Sequence, residues 1–254
     1  MSMTRDHSSR SIERKGRNTL RINSAKFILY VEGRKTEPSY FAHLRKAHCK
    51  IEPVTRRGKG IGCCLDFVDE AVKKFQNLPT NEKKKYAEKW LVFDNDGHGD
   101  FAAAIKKART LGFGVAFSNM CIEYWFLLHF ENHDGGPINT IGNSHSKAHI
   151  DILNKHISRY NKDNKYNKYK IALYNKDSKE VTDDIFDLLL AIDPITKKRR
   201  IVNALERAKA IHEKRQNDGA EFEESVTTIY QLLQRLGVFN EDKVTGEISL
   251  YEKP

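Results

Sequence analysis

Three carboxylates stand where apolar runs stop. Glu32 follows Lys26–Val31 at once, and Asp94 and Asp96 follow Trp90-Leu91-Val92-Phe93. In extended backbone, residues two apart project to the same side, so Asp94 and Asp96 can offer hard oxygen ligands to one Mg2+ or Mn2+. Like charges held close repel, and a cation relieves that repulsion. Each feature has a plainer reading on its own. Glu32 suits a helix cap or a salt bridge, and Asp94-Asn95-Asp96-Gly97 is good Asx-turn chemistry. Their joint placement brings the metal reading level with the plainer ones, because strand C-terminal ends of an open parallel sheet converge on one edge. A cation held there can polarise a phosphodiester, acidify water or stabilise a leaving oxygen. Glu32 is then either a ligand or a base.

The chain carries a formal net charge of +10, with 44 Lys and Arg against 34 Asp and Glu. Such an excess attracts polyanions when it is concentrated on a surface. Arg34-Lys35 adjoin Glu32, where they either hold phosphates or neutralise local acids. Arg56, Arg57 and Lys59 lie in a Gly-rich loop that can reach the same edge. That loop lacks the Walker pattern, so ATP hydrolysis by this chain alone is not expected. Lys197-Lys198-Arg199-Arg200 is the densest basic run, and at a helix start it opposes the helix dipole unless anions compensate. Lys162, Lys165, Lys168 and Lys170 alternate with Tyr160, Tyr166 and Tyr169, a composition suited to phosphates and bases or to a solvated connector.

A chain of 254 residues with 39% hydrophobic residues can build one large α/β domain, or a core with an appended lobe. Cys63-Cys64 are adjacent, Cys49 and Cys121 stand alone, and without C-x-x-C a structural zinc is not expected. No apolar run reaches membrane-spanning length, and residues 1–25 are basic without an apolar signal core. A cytoplasmic protein with a basic flexible arm over 1–25 is the expectation.

The elements that must position the acids follow from periodicity. Lys26–Val31, Ile51–Thr55, Ala87–Phe93 and Gly112–Phe117 read as strands. Helices are expected over Ser39–His48, with Thr36 as a candidate N-cap, and over Leu65–Phe75, Phe101–Leu111 and the apolar run Met120–Phe130, capped by Ser118. Beyond residue 135 the pattern is mainly helical: Ala148–Ile157, Val181–Ile192, Pro194–Arg215 and Glu221–Leu236. Strand–helix alternation in the first half predicts a mostly parallel sheet.

The segments Phe27–Phe41 (FILYVEGRKTEPSYF), Val92–Asp96 (VFDND) and Ser118–Phe130 (SNMCIEYWFLLHF) resemble the RloB-like family, a TOPRIM-related group linked to prokaryotic restriction and antiphage loci. The resemblance implies an α/β, TOPRIM-like, mostly parallel sheet flanked by helices over 26–135, with a mainly helical basic extension over 136–254 packed on it. It carries a glutamate role onto Glu32 and metal-ligand roles onto Asp94 and Asp96, with Mg2+ or Mn2+ as cofactor. Glu37 and Glu123 are supporting positions; capping its own helix explains Glu37 nearly as well, and Glu123, in the first turn of an apolar helix, needs a partner or the helix terminus to offset its desolvation. No topoisomerase-like nucleophilic tyrosine is assignable. His129 is six residues from Glu123, points elsewhere on a helix, and reads as a packed, hydrogen-bonded histidine. The implied activity is metal-dependent cleavage of DNA or RNA, tRNA included, in antiphage defence. The alternative is a non-catalytic nucleic-acid-binding or scaffolding subunit, partnered with a separate ATPase.

Overall fold

The computed structural model of the chain describes residues 26–44, 49–54, 63–95, 97–138, 144–163, 170–175, 177–223, 225–242 and 245–250. The basic arm, Asp96, the Arg56/Arg57/Lys59 loop, and Lys165, Tyr166, Lys168 and Tyr169 lie outside the described residues.

Strands β1 (Lys26–Val31), β2 (Cys49–Pro53), β3 (Tyr86–Asp94) and β4 (Gly114–Asn119) are mutually parallel, in the spatial order β2-β1-β3-β4. Beyond Lys26, β1 is buried along its length, as a strand covered on both faces must be. Short β5 (Val226–Thr227) adds antiparallel to β4, pairing Ser118 with Thr227 and Asn119 with Val226. The fold is therefore α/β, with a five-stranded, mostly parallel sheet flanked by helices. A separate hairpin joins β6 (Phe239–Glu241) to β7 (Ile248–Leu250).

One face of the sheet carries α1 (Thr36–Leu44) and α5 (Ile122–Leu127); the other carries α2 (Cys64–Gln76) and α4 (Phe101–Thr110). On the second face Phe67, Phe93 and Phe101 meet ring to ring. On the first, Tyr40 packs against Phe126 and Phe186, and its hydroxyl accepts the Trp125 indole N–H at 2.8 Å. The indole and the phenol are both fully buried, and each satisfies the other's polar atom. Short α3 (Thr80–Lys83) precedes β3. The second half adds α6 (His145–Asp163), α7 (Asp183–Leu190), α8 (Arg200–Asn217) and α9 (Ile229–Arg235). Among the described residues no helix is long and apolar enough to cross a membrane.

Several expected elements change at their ends for identifiable reasons. The helix expected over Met120–Phe130 is confined to Ile122–Leu127, because the backbone leaves β4 extended through Cys121. Ser118 does not cap it: it sits in β4 and donates its hydroxyl to the Cys121 carbonyl at 2.8 Å. The helix expected over Glu221–Leu236 begins only at Ile229. Its first part is claimed by sheet pairing, which suits the β-branched Val226-Thr227-Thr228. Thr36 is inside α1 rather than before it, and its hydroxyl donates to the Lys179 carbonyl at 2.8 Å. The expected break at residue 135 also does not isolate the sheet, since β5 comes from the second half.

Candidate metal and nucleic-acid site

In the order β2-β1-β3-β4, the chain leaves β1 toward β2 on one side and returns to β3 on the other. The β1/β3 boundary is thus a topological switch point, the position at whose C-terminal strand ends open α/β sheets receive ligands. Glu32 and Asp94 sit on the two sides of that boundary. Val31 pairs with Val92, and the Glu32 N–H donates to the Val92 carbonyl at 3.0 Å. One step further, the Asp94 N–H reaches Glu32 Oε2 at 3.4 Å. Both acids are half-buried. Asp94 Oδ2 also accepts the Ile122 N–H at 3.0 Å, so the last residue of β3 supplies the cap that α5 lacks locally.

Two further carboxylates lie beneath. Glu37 on α1 is 5% exposed and Glu123 on α5 is 2% exposed. The Glu37 carboxyl is folded over Gly33, where a Cβ would stand 1.7 Å from its Oε2. Burial pushes Glu37 up to about 7, the charges of Glu123 and Glu32 add to the rise, and its own backbone N–H and Lys179 oppose it. The thiol of buried Cys121 is pushed well up by burial and then by Glu123 and Asp94. Four carboxylates therefore crowd one corner of the molecule, and its electrostatics favour a proton or a cation. Among the described residues no group of three or more His, Cys, Asp and Glu side chains is arranged to hold a metal ion. Asp96 is outside them.

Gly33→Ala is expected to cost about 1–3 kcal/mol, because the new methyl group must expel the Glu37 carboxyl. Adding Glu37→Ala removes the obstacle, so the double variant should lose less than the sum of the singles. Urea denaturation of the four proteins measures this, and strict additivity would show that Glu37 does not occupy that space.

The second half contributes side chains to this corner that the sequence reading missed. Tyr174 donates its hydroxyl to Glu123 Oε1 at 3.4 Å, and the same oxygen lies 3.1 Å from Thr36 Oγ1. Asn154 clamps the Tyr174 backbone at both its N–H and its carbonyl. Val181 N–H donates to Ser39 Oγ at 2.9 Å, and Lys35 Nζ to the Asp177 carbonyl at 3.4 Å. The segment between α6 and α7 is thus tied to the first turns of α1. Arg34 and Lys35 are both exposed beside Glu32.

The basic run near residue 200 is not a helical first turn. Asp193 Oδ1 accepts the N–H groups of Ile195 and Thr196, Ile192 bridges to Arg199, and α8 starts only at Arg200. Lys197, Lys198 and Arg199 are exposed, with Lys198 paired to Glu206 at 2.7 Å. Arg200 departs from the expected phosphate contact. It is 7% exposed, lies 5.4 Å over the Phe130 ring, and sits 3.9 Å from Asp193. A guanidinium packed in that way is not open to a backbone phosphate. His129 is fully buried with Nδ1 against the Trp125 carbonyl at 3.0 Å, and burial holds its pKa down at about 3, so it is a neutral packing residue. Lys170 binds the Asn161 carbonyl, and Tyr160 lies 6.0 Å from the Arg200 guanidinium.

The family model described as RloB-like protein matches residues 27–236. The chain belongs to the RloB-like family. That match spans both the sheet and most of the helical second half, including the Tyr174 segment and the turn before α8. No curated protein and no solved structure matches the chain.

Proposed function

We propose that this RloB-like protein is a metal-dependent nuclease of TOPRIM type that cleaves DNA or RNA phosphodiesters, tRNA among them, in antiphage defence. The observation that carries the reading is the meeting of Glu32 and Asp94 at the β1/β3 switch point, with Asp96 two residues on in sequence. Glu32, Asp94 and Asp96 are the groups that would hold Mg2+ or Mn2+, and the crowding of buried Glu37 and Glu123 behind them, with Glu37 held up toward its protonated form, fits a cation. When bound, the ion supplies positive charge for phosphodiester oxygens and lowers the pKa of water at the site.

The chain's own residues do the rest. Asp94 is held by the Ile122 N–H, and Glu32 is held against the Asp94 N–H, so neither carboxylate has to be ordered at the moment of reaction. Arg34 and Lys35 stand on the solvent side, placed to receive the phosphates flanking the scissile bond. Arg56, Arg57, Lys59, Lys197 and Arg199 extend the basic contact set. Glu37 and Glu123 support the cluster from below.

The test is cleavage of DNA and RNA panels by the purified chain in Mg2+ and in Mn2+, with and without proteins that co-purify from the native host. Metal-dependent products are expected. Intact substrates under every condition would sink the catalytic claim. A second reading is a non-catalytic nucleic-acid-binding subunit that works with a separate ATPase. It draws on the exposed cations Arg34, Lys35, Lys197 and Arg199, and salt-sensitive binding without cleavage is its signature.

A further inference from the structure

The turn between α7 and α8 is fixed by many bonds and yet presents apolar side chains to water. Asp193 Oδ1 accepts from the Ile195 and Thr196 N–H groups at 2.8 and 2.9 Å. The Asp193 N–H donates to the Lys198 carbonyl at 2.8 Å, and the Lys197 N–H returns to the Asp193 carbonyl at 2.9 Å. Asn203 on α8 donates to Thr196 Oγ1 at 2.9 Å. Lys197 is held in the left-handed region at φ 61°, a conformation that a side chain adopts only when its surroundings impose it. At the base, Arg200 is packed on Phe130 and faces Asp193, which braces the turn against the core.

On this rigid turn Ile195 is 87% exposed and Ile192 is 63% exposed. A single exposed isoleucine needs no explanation. Two on one braced turn, followed directly by Lys197 and Arg199, form a particular composition. Both cations are exposed, and among the described residues neither makes an ion pair, whereas Lys198 is occupied by Glu206. An apolar tip flanked by cations matches what architectural proteins insert between base steps: the aliphatic group replaces a stacking contact while the cations hold the adjacent phosphates. An apolar protein partner would account for the isoleucines but not for uncompensated positive charge on the same turn.

We infer that residues 192–199 form a wedge for base-paired nucleic acid, with Ile195 entering a base step and Lys197 and Arg199 holding the flanking phosphates. The inference rests on the nucleic-acid part of the function proposed above and is independent of cleavage. It gives the second half of the chain a task in deforming the substrate, apart from the acids at the sheet edge.

The test uses the full chain in EDTA with duplex DNA and duplex RNA carrying 2-aminopurine, read by anisotropy for binding and by fluorescence for unstacking. Binding by the wild type should raise 2-aminopurine fluorescence on at least one duplex. Ile195→Ser should lose that rise and bind about tenfold more weakly, since a buried aliphatic side chain is worth about that much. Lys197→Gln with Arg199→Gln should flatten the log–log salt slope by roughly two. Leu111→Ser, another exposed aliphatic position, should behave as wild type. Because Ile195 is at the surface, its variant should melt as wild type does. The wedge is overturned if Ile195→Ser binds and unstacks like wild type, if the wild type binds duplex without a fluorescence rise, or if it binds no duplex. Loss of cleavage in a parallel Mn2+ assay, with unstacking intact, strikes only the catalytic reading.

Discussion

Asp94→Asn should abolish metal-dependent cleavage while leaving the protein folded. Asp94 has two jobs that an amide separates. Its Oδ2 accepts the Ile122 N–H at 3.0 Å, and an asparagine carbonyl can accept the same bond. Its negative charge, in contrast, disappears. Removing groups that merely orient metal ligands costs 10–100-fold, so neutralising Asp94 as the proposed ligand should cost on the order of 10^3-fold. Asp94→Ala should be equally inactive and also about 1 kcal/mol less stable, because the start of α5 loses its acceptor. Initial rates at saturating Mn2+, urea denaturation and Mn2+ binding by electron paramagnetic resonance separate the two losses. Cleavage by Asp94→Asn within tenfold of wild type would remove Asp94 from the chemistry.

The second large effect is a pH dependence of stability centred on Glu37. Burial, reinforced by Glu123 and Glu32, raises this carboxyl from 4.5 to about 7 in the folded protein. Between those values the folded chain binds more protons than the unfolded chain, so stability must fall as pH rises. The loss is complete above about 7 and is of order 3 kcal/mol for the carboxylate corner as a coupled unit. Glu37→Gln should therefore be more stable than wild type at pH 8 and lose that advantage at pH 4.5. Denaturant midpoints of both proteins across this range, without divalent metal, provide the measurement. A wild-type curve that is flat from pH 4.5 to 8 would show that Glu37 ionises without penalty.

Much of the sheet was readable because its central strands are buried on both faces. Phe27–Val31 and Trp90–Phe93 are continuous apolar runs, the pattern of strands covered on both faces. The acids directly after those runs were legible for the same reason: the end of a buried strand is a place of known geometry. What stayed hidden was set by contacts between distant residues. Nothing around Tyr174 says that its hydroxyl meets Glu123, 51 residues earlier. Nothing around Ser118 says that the cap of the next helix comes from Asp94. Arg200 is not legible from the sequence because a run of four cations reads as one surface, whereas the first turn of α8 directs one of them inward onto Phe130. Val226-Thr227 was absorbed into a helix because two residues are too few for a strand period to register.

The short β5 strand has a consequence for how the protein is made. Its partner β4 ends at Asn119, and the pairing Asn119–Val226 joins residues 107 apart. A ribosome must therefore reach Val226 before β4 gains this neighbour, and Tyr174 must emerge before Glu123 gains its partner. Until then the growing polypeptide carries Glu32 and Asp94 on an unfinished scaffold with an open strand edge beside it. Late closure of the sheet leaves β4 exposed as a pairing edge throughout the synthesis of residues 120–225.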